Sequence, residues 1–236
     1  MKKRKALWIT LLILAVLAVV CRIYVSDYYH AEPEALRALE SDALVRVSET
    51  DYGWLFDGPA TDRALIFYPG GKVEETAYAP FLRLLAEEGI DVCLVRMPAR
   101  LAFLGMERAA DVMKEYDYAS WYVGGHSLGG AAAAIFASRH GGELDGLILC
   151  AAYPTRPLDG SLREITLYGS ADGVLDLSKV EAGRRYAPAG ADEYVIEGGN
   201  HAGFGNYGAQ SGDGEASLSA AEQQREAAAR ILSDLT

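Results

Sequence analysis

The sequence predicts an α/β fold, with a mostly parallel central sheet, helices on both faces and one N-terminal transmembrane helix ahead of it. Three observations predict it. A short β-branched or aromatic run, a glycine-containing turn and a helical stretch recur in that order along the chain, and such alternation builds a parallel sheet. Half of the 236 residues are hydrophobic, enough for one substantial core. Before the first strand stands an apolar run over residues 6–25, preceded by Lys2, Lys3, Arg4 and Lys5.

That run is interrupted only by Thr10 and Arg22. About 20 helical residues span the ~30 Å hydrocarbon layer, and Arg22 lies near enough to the end to snorkel toward the interface. The basic cluster stays in the cytoplasm under the positive-inside rule, which sends everything after Val25 to the other side. The reading is a single-pass membrane protein with its main domain extracytoplasmic: anchor 1–25, linker 26–41, domain 42–236. The competing reading, a cleaved or lipidated signal peptide, lacks a small-x-small cleavage site, and Val19 and Val20 stand before Cys21 where a lipoprotein signal wants a small residue. The first 25 residues hold five of the 22 Lys/Arg and none of the 33 Asp/Glu, so the rest carries 17 against 33, a net of −16. Such a surface repels nucleic acid, and no basic patch with interleaved aromatics offsets it.

The linker reads as a short helix near 33–40. "ALVRVSE" (43–49) and "YGWLF" (52–56) make an opening antiparallel pair, and "ALIFYP" (64–69) is the first buried strand, followed by a helix over 78–88. "DVCLVR" (91–96) is the next strand and 105–116 the next helix. "SWYVGG" (120–125) leads into an alanine-rich helix; "GLILCAA" (146–152), "REITLYG" (163–169) and "DEYVIEG" (192–198) complete the sheet, and a last helix covers 217–234. "QSGDGEAS" (210–217) reads as a surface loop. Cys93 and Cys150 sit inside strand-like runs and read as buried free thiols; a bridge between them is the alternative that an exported domain permits.

"YVGGHSLGGAAAAIFAS" (122–138) places Ser127 between glycines, on the turn from a strand to a helix. A sharp turn there strains the nucleophile and brings backbones close, so side chains beyond hydrogen are excluded at the flanking positions. It also puts the hydroxyl at the carboxyl edge of the sheet, beside a helix N-terminus whose N–H groups stabilise an oxyanion. Serine needs a base, and the base needs a partner to hold its ring. Asp172, in "LYGSADGVL", and His201, in "VIEGGNHAGFGNYG", follow strands and so fall at the same edge. Asp176 is the rival acid. Of the other histidines, His30 lies in the linker, His126 points away from Ser127, and His140 ends the alanine helix. The oxyanion donors are expected from the N–H of Leu128 and from the turn in "YPGGKV", at Gly71, with Lys72 one residue off as the alternative.

With these residues in place, the chain resembles the α/β-hydrolase superfamily, whose order of serine, acid and histidine matches Ser127, Asp172 and His201 and whose elbow matches "GHSLGG". "FYPGGKVE" and "GGNHAGFGNYG" are similar to the small, lidless hydrolases related to dienelactone hydrolases, including membrane-anchored members. The resemblance implies the fold and the triad; the cysteine nucleophile of true dienelactone hydrolases is here a serine, so it carries no substrate.

Only "YPTRPLDGSL" (153–162) stands where larger members insert a lid, so an open site is expected. "RMPARLAFLG" (96–105) follows a strand and offers Met97, Leu101 and Phe103 as substrate contacts, or as ordinary core packing. There is no phosphate loop, zinc-ligand cluster or dinucleotide fingerprint, so no cofactor or metal is implied. The expected activity is cleavage of a small-molecule carboxylic ester or related acyl bond through an acyl-enzyme. The alternatives are a ligand- or partner-binding protein without turnover, and acyl transfer to an acceptor other than water.

Overall fold

The computed structural model describes residues 2–59 and 62–235. Helix α1 (Lys2–Ser26) is apolar from Leu7 onward, with mean hydropathy 2.5 over Leu7–Ser26, and none of that window is buried. It is long and apolar enough to cross a membrane. A short helix α2 (Pro33–Arg37) leads to the sheet.

The strands are β1 (Arg46–Thr50), β2 (Gly53–Asp57), β3 (Arg63–Tyr68), β4 (Asp91–Val95), β5 (Ser120–His126), β6 (Gly146–Cys150), β7 (Arg163–Gly169) and β8 (Asp192–Ile196). They form one sheet in the order β1-β2-β4-β3-β5-β6-β7-β8. β1 pairs antiparallel with β2 and β2 antiparallel with β4; from β4 to β8 every pairing is parallel. The central strands are buried on both faces and read as continuous apolar runs, the signature of a sheet covered on both sides.

Alternation along each strand decides which helices cover it. On β3, Leu65 and Phe67 pack with α3 (Ala79–Glu87) and α7 (Ala220–Leu235), whereas Ala64, Ile66 and Tyr68 pack with α4 (Arg108–Glu115) and α5 (Leu128–His140). Alanine dominates α5 because four of its alanines, 132, 133, 134 and 137, are buried against the sheet, where small side chains let helix and strand approach closely. Among the described residues no lid domain stands between β6 and β7.

Three features differ from the sequence expectation. A seventh helix, α6 (Leu177–Gly183), lies between β7 and β8, capped by the Asp176 carboxylate, which accepts the Ser178 N–H; seven residues, about two turns of helix, carry little periodicity. The helix expected at 105–116 is shorter, and two 3-10 turns, Pro98–Arg100 and Ala102–Leu104, precede it. The stretch read as a linker is packed: Ala35 is fully buried, and Tyr29 forms a parallel bridge to Val73. Cys93 and Cys150 are free and buried. They lie on opposite faces of the sheet, on strands separated by β3 and β5; at ~4.8 Å per strand that is roughly 14 Å, beyond disulfide reach. Burial raises the Cys93 thiol to about 12, which keeps it protonated and unreactive.

Candidate active site

β5 ends at His126 and α5 begins at Leu128, so Ser127 alone makes the turn, with φ 52° and ψ −121°. A residue other than glycine holds such a backbone only when its surroundings over-determine it. Here they do. The Ser127 N–H donates to the Cys150 carbonyl at 2.9 Å. A Cβ on Gly125 would stand 2.6 Å from the Tyr68 carbonyl oxygen and from the Gly129 backbone, and one on Gly129 would overlap the same Tyr68 carbonyl. The two glycines therefore let β3, β5 and α5 converge at one point, with the serine hydroxyl beyond it.

Ser127 and His201 line a cleft of about 220 Å³, together with Leu128, Ala151, Tyr153, Val174 and Leu175. His201 is 1% exposed. Its Nδ1 meets Asp172 Oδ2 at 2.9 Å. Asp172 Oδ1 accepts the N–H groups of Val174 and Leu175 at 2.9 and 2.7 Å. A carboxylate held this way accepts, so Nδ1 carries the proton and Nε2 the lone pair. That Nε2 is buried and has no partner among the described residues. The rival acid Asp176 also lines the cleft but is engaged in capping α6.

A fourth group escaped the sequence reading. Asp213 Oδ1 accepts the N–H groups of His201 and Gly173, both at 3.1 Å, and its Oδ2 accepts that of Ala202 at 2.8 Å. It ties the histidine loop to the acid loop. Its only sequence signal is an acidic residue in a glycine-rich segment, "QSGDGEAS", which reads as solvated loop.

In the turn after β3 the Gly70 N–H donates to the Tyr78 hydroxyl at 3.0 Å and the Lys72 N–H to the Arg100 carbonyl at 2.9 Å. Gly71 lies between them, and no partner takes its N–H among the described residues. A Cβ there would stand 2.7 Å from Leu128 Cδ2. The Leu128 N–H opens α5, where no preceding turn supplies a carbonyl. Lys72, the alternative donor, has its N–H occupied.

The His126 ring lies against His201, with centroids 4.5 Å apart. Its Nδ1 is 2.8 Å from the Tyr78 hydroxyl. Burial, then the neighbouring His201, push its pKa well below the usual 6.5, so it is neutral.

The three residues expected as substrate contacts are not among those that line this cleft. Met97 is 4% exposed and packs in the core beside β4, and Phe103 lines a separate hollow with Leu104 and Met106. Ala99 and Arg100 both hold positive φ, 52° and 55°, in the turn after β4. The cleft walls come instead from the segments after β6 and β7, Ala151 to Tyr153 and Val174 to Leu175.

The sequence pattern of the alpha/beta hydrolase family matches residues 64–225, about two-thirds of the chain. The chain belongs to the alpha/beta hydrolase family. Its fold is similar to that of a predicted CIB-like hydrolase from Thermoplasma acidophilum, with TM-score 0.58 and 14% identity over 79% of this chain and 98% of that one. It is similar also to Est1E from Butyrivibrio proteoclasticus, with TM-score 0.56 and 13% identity over 82% and 99%. Carboxylesterase CesB (YbfK) from Bacillus subtilis gives TM-score 0.56 and 11% identity over 92% and 97%. Among curated proteins none matches the sequence. This hydrolase thus has its family's sheet, with the elbow serine and the Asp172–His201 pair at the carboxyl ends of β5, β7 and β8.

Proposed function

We propose that this hydrolase is a membrane-anchored serine esterase that cleaves a carboxylic ester or related acyl bond through Ser127, His201 and Asp172. The observation that carries the reading is the His201 ring, fixed at Nδ1 by a buried carboxylate, with Nε2 unpartnered, in a residue that lines one cleft with Ser127. The carboxylesterase described among the similar folds supports an ester over other acyl bonds.

In the proposed mechanism His201 Nε2 takes the Ser127 hydroxyl proton as Oγ bonds to the acyl carbon. The carbonyl π electrons move to its oxygen, which the N–H groups of Gly71 and Leu128 stabilise; such a donor is generally worth about 3 kcal/mol of barrier. Asp172 stabilises the imidazolium. Collapse breaks the bond to the alkoxy oxygen, which leaves with the proton from His201. Water then enters, gives a proton to His201 and its oxygen to the acyl carbon, and the acid departs as Ser127 recovers its proton. Helix α1 serves as the anchor. Lys2 to Lys5 keep its start in the cytoplasm, and the hydrolase domain faces outward.

Labelling by a fluorophosphonate probe followed by peptide mapping tests the assignment. Labelling confined to Ser127, absent in Ser127→Ala and at least about 100-fold slower in His201→Ala, is expected. A folded wild-type protein that takes no label would move the reading to ligand binding without turnover.

A further inference from the structure

The anchor ends beside the turn that holds Gly71, and Gly71 packs against Leu128 of the cleft wall. Helix α1 ends at Ser26, and three residues later Tyr29 pairs with Val73: the Tyr29 N–H donates to the Lys72 carbonyl at 2.8 Å, and the Glu74 N–H donates to the Tyr29 carbonyl at 2.9 Å. Gly71 lies two residues before Val73. Side chains fasten the same join. Lys72 Nζ pairs with Asp27 at 2.7 Å and lies 4.7 Å from the ring of Tyr24, in the last turn of α1. The Arg100 guanidinium stacks 3.4 Å over the ring of Tyr28. The end of α1 is therefore fixed to the turn that supplies Gly71.

Three residues from Ser26 to Tyr29 reach ~10 Å at full extension. The headgroup layer on one side of a bilayer is roughly 5–8 Å thick. With α1 across a membrane, the turn at 70–73 stands close to headgroup depth.

The same edge of the sheet is apolar. Outside α1, seven large hydrophobic side chains are exposed among the described residues, and four of them follow β4 or β7 past the carboxyl ends of those strands: Phe103 and Leu104 in the 3-10 turn after β4, Val174 in the loop after β7 and Leu177 at the start of α6. In the sheet, β4 and β7 stand on opposite sides of β5, so these pairs flank the Ser127 elbow. Val174 lines the cleft itself. Apolar side chains on both sides of a site whose Gly71 turn is tied to an apolar, membrane-length helix fit a lipid surface.

We infer that the Ser127 cleft rests on the bilayer that holds α1, and that its substrate is an acyl ester resident in that leaflet, an amphiphile whose ester lies at headgroup depth. This rests on the esterase reading above and names its substrate class. The four exposed side chains enter the interface, and the substrate reaches Ser127 by lateral diffusion without first dissolving in water.

The test uses the full chain in phosphatidylcholine vesicles, with two esters of one fluorogenic alcohol: a long-chain ester embedded in the vesicles and an acetyl ester in solution. One variant carries three EAAAK repeats inserted between Ser26 and Asp27, a semi-rigid spacer that lifts the domain by ~20 Å. A second carries Leu104→Ser with Leu177→Ser. The spacer variant is expected to hydrolyse the embedded ester at least tenfold more slowly and the double variant several-fold more slowly. Both should keep wild-type turnover of the acetyl ester and wild-type labelling of Ser127. Wild-type rates on the embedded ester in both variants, with acetyl ester turnover intact, would overturn the inference and leave the esterase reading standing. A wild-type chain that neither takes the label nor cleaves either ester would overturn the esterase reading, and this inference with it.

Discussion

His201 and His126 lie in ring contact and are equally buried, each 1% exposed, yet the group at Nδ1 makes them different reagents. At His201 that group is a carboxylate, which only accepts, so the proton is fixed on Nδ1 and Nε2 is basic. At His126 it is the Tyr78 hydroxyl, which already accepts the Gly70 N–H and so turns its own proton toward the ring; Nδ1 then accepts, and the proton stays on Nε2. The residue types and the burial are the same. In the proposed mechanism the partner alone separates the base, His201, from a neutral strut between the Gly70–Gly71 turn and the elbow.

Replacing the partner breaks the distinction most sharply at Asp172. Asp172→Asn can donate to Nδ1 and so favours the tautomer with the proton on Nε2. A loss of about 10⁴ in kcat is expected with the fold intact, as for the acid of other triads. Ester turnover together with near-UV circular dichroism would check it. A loss below tenfold would mean that Asp172 does not set the tautomer.

The corresponding change at the other histidine is Tyr78→Phe, which leaves the Gly70 N–H and His126 Nδ1 buried without a partner. Each unsatisfied group costs about 1–3 kcal/mol, so urea denaturation should show a loss near 3 kcal/mol. Gly71 is the next residue after Gly70, so a fall of about tenfold in kcat at unchanged KM is also expected, through a misaimed oxyanion donor. Unchanged kcat in a destabilised protein would restrict Tyr78 to a structural role.

This pair of histidines also marks how far the sequence could be read. That Ser127 sits on a strand-to-helix turn was legible because such a turn imposes small residues at fixed offsets, and that Asp172 and His201 share its edge of the sheet because parallel strands bring the loops that follow them there. The strand assignments held for the same reason: runs such as "ALIFYP" and "GLILCAA" are buried on both faces, which leaves a continuous apolar signal. Asp213 and Tyr78 were not legible, since their roles lie in bonds to backbone N–H groups remote in the chain and no spacing encodes such a bond. Substrate contact and core packing could not be separated in sequence for Met97 and Phe103: Met97 packs in the core, and Phe103 lines a hollow apart from the Ser127 cleft. The anchored turn was hidden in the same way, in a bridge between residues 29 and 73.

Asp213 sharpens the comparison at a smaller scale, because it holds the His201 backbone rather than its ring. Asp213→Asn keeps one acceptor oxygen, sets an amide NH2 against the N–H that the other oxygen accepted, and loses the charge behind the bonds to His201, Ala202 and Gly173. The expected cost is about 1 kcal/mol of stability, and a fall in kcat of severalfold as the ring loses its fixed position. Rates unaffected by the change would show that Asp172 alone orients His201.

The smallest effect is thermodynamic. Burial, with the neighbouring His201 ring, depresses the His126 pKa in the folded state well below 6.5. Below pH 6.5 the unfolded chain therefore binds a proton that the folded chain refuses. Stability contributed by neutral His126 is complete above pH 6.5 and is lost as pH falls toward the folded-state value, with a slope of up to about 1.4 kcal/mol per pH unit for one proton. His126→Asn presents an acceptor oxygen near the Nδ1 position and does not titrate. Urea midpoints between pH 7 and pH 5 should thus fall less steeply in the variant than in the wild type. Slopes that coincide would mean that the folded protein accommodates a charged His126. The tautomer argument would then fail at this ring, and with it the account of how Tyr78 holds the turn.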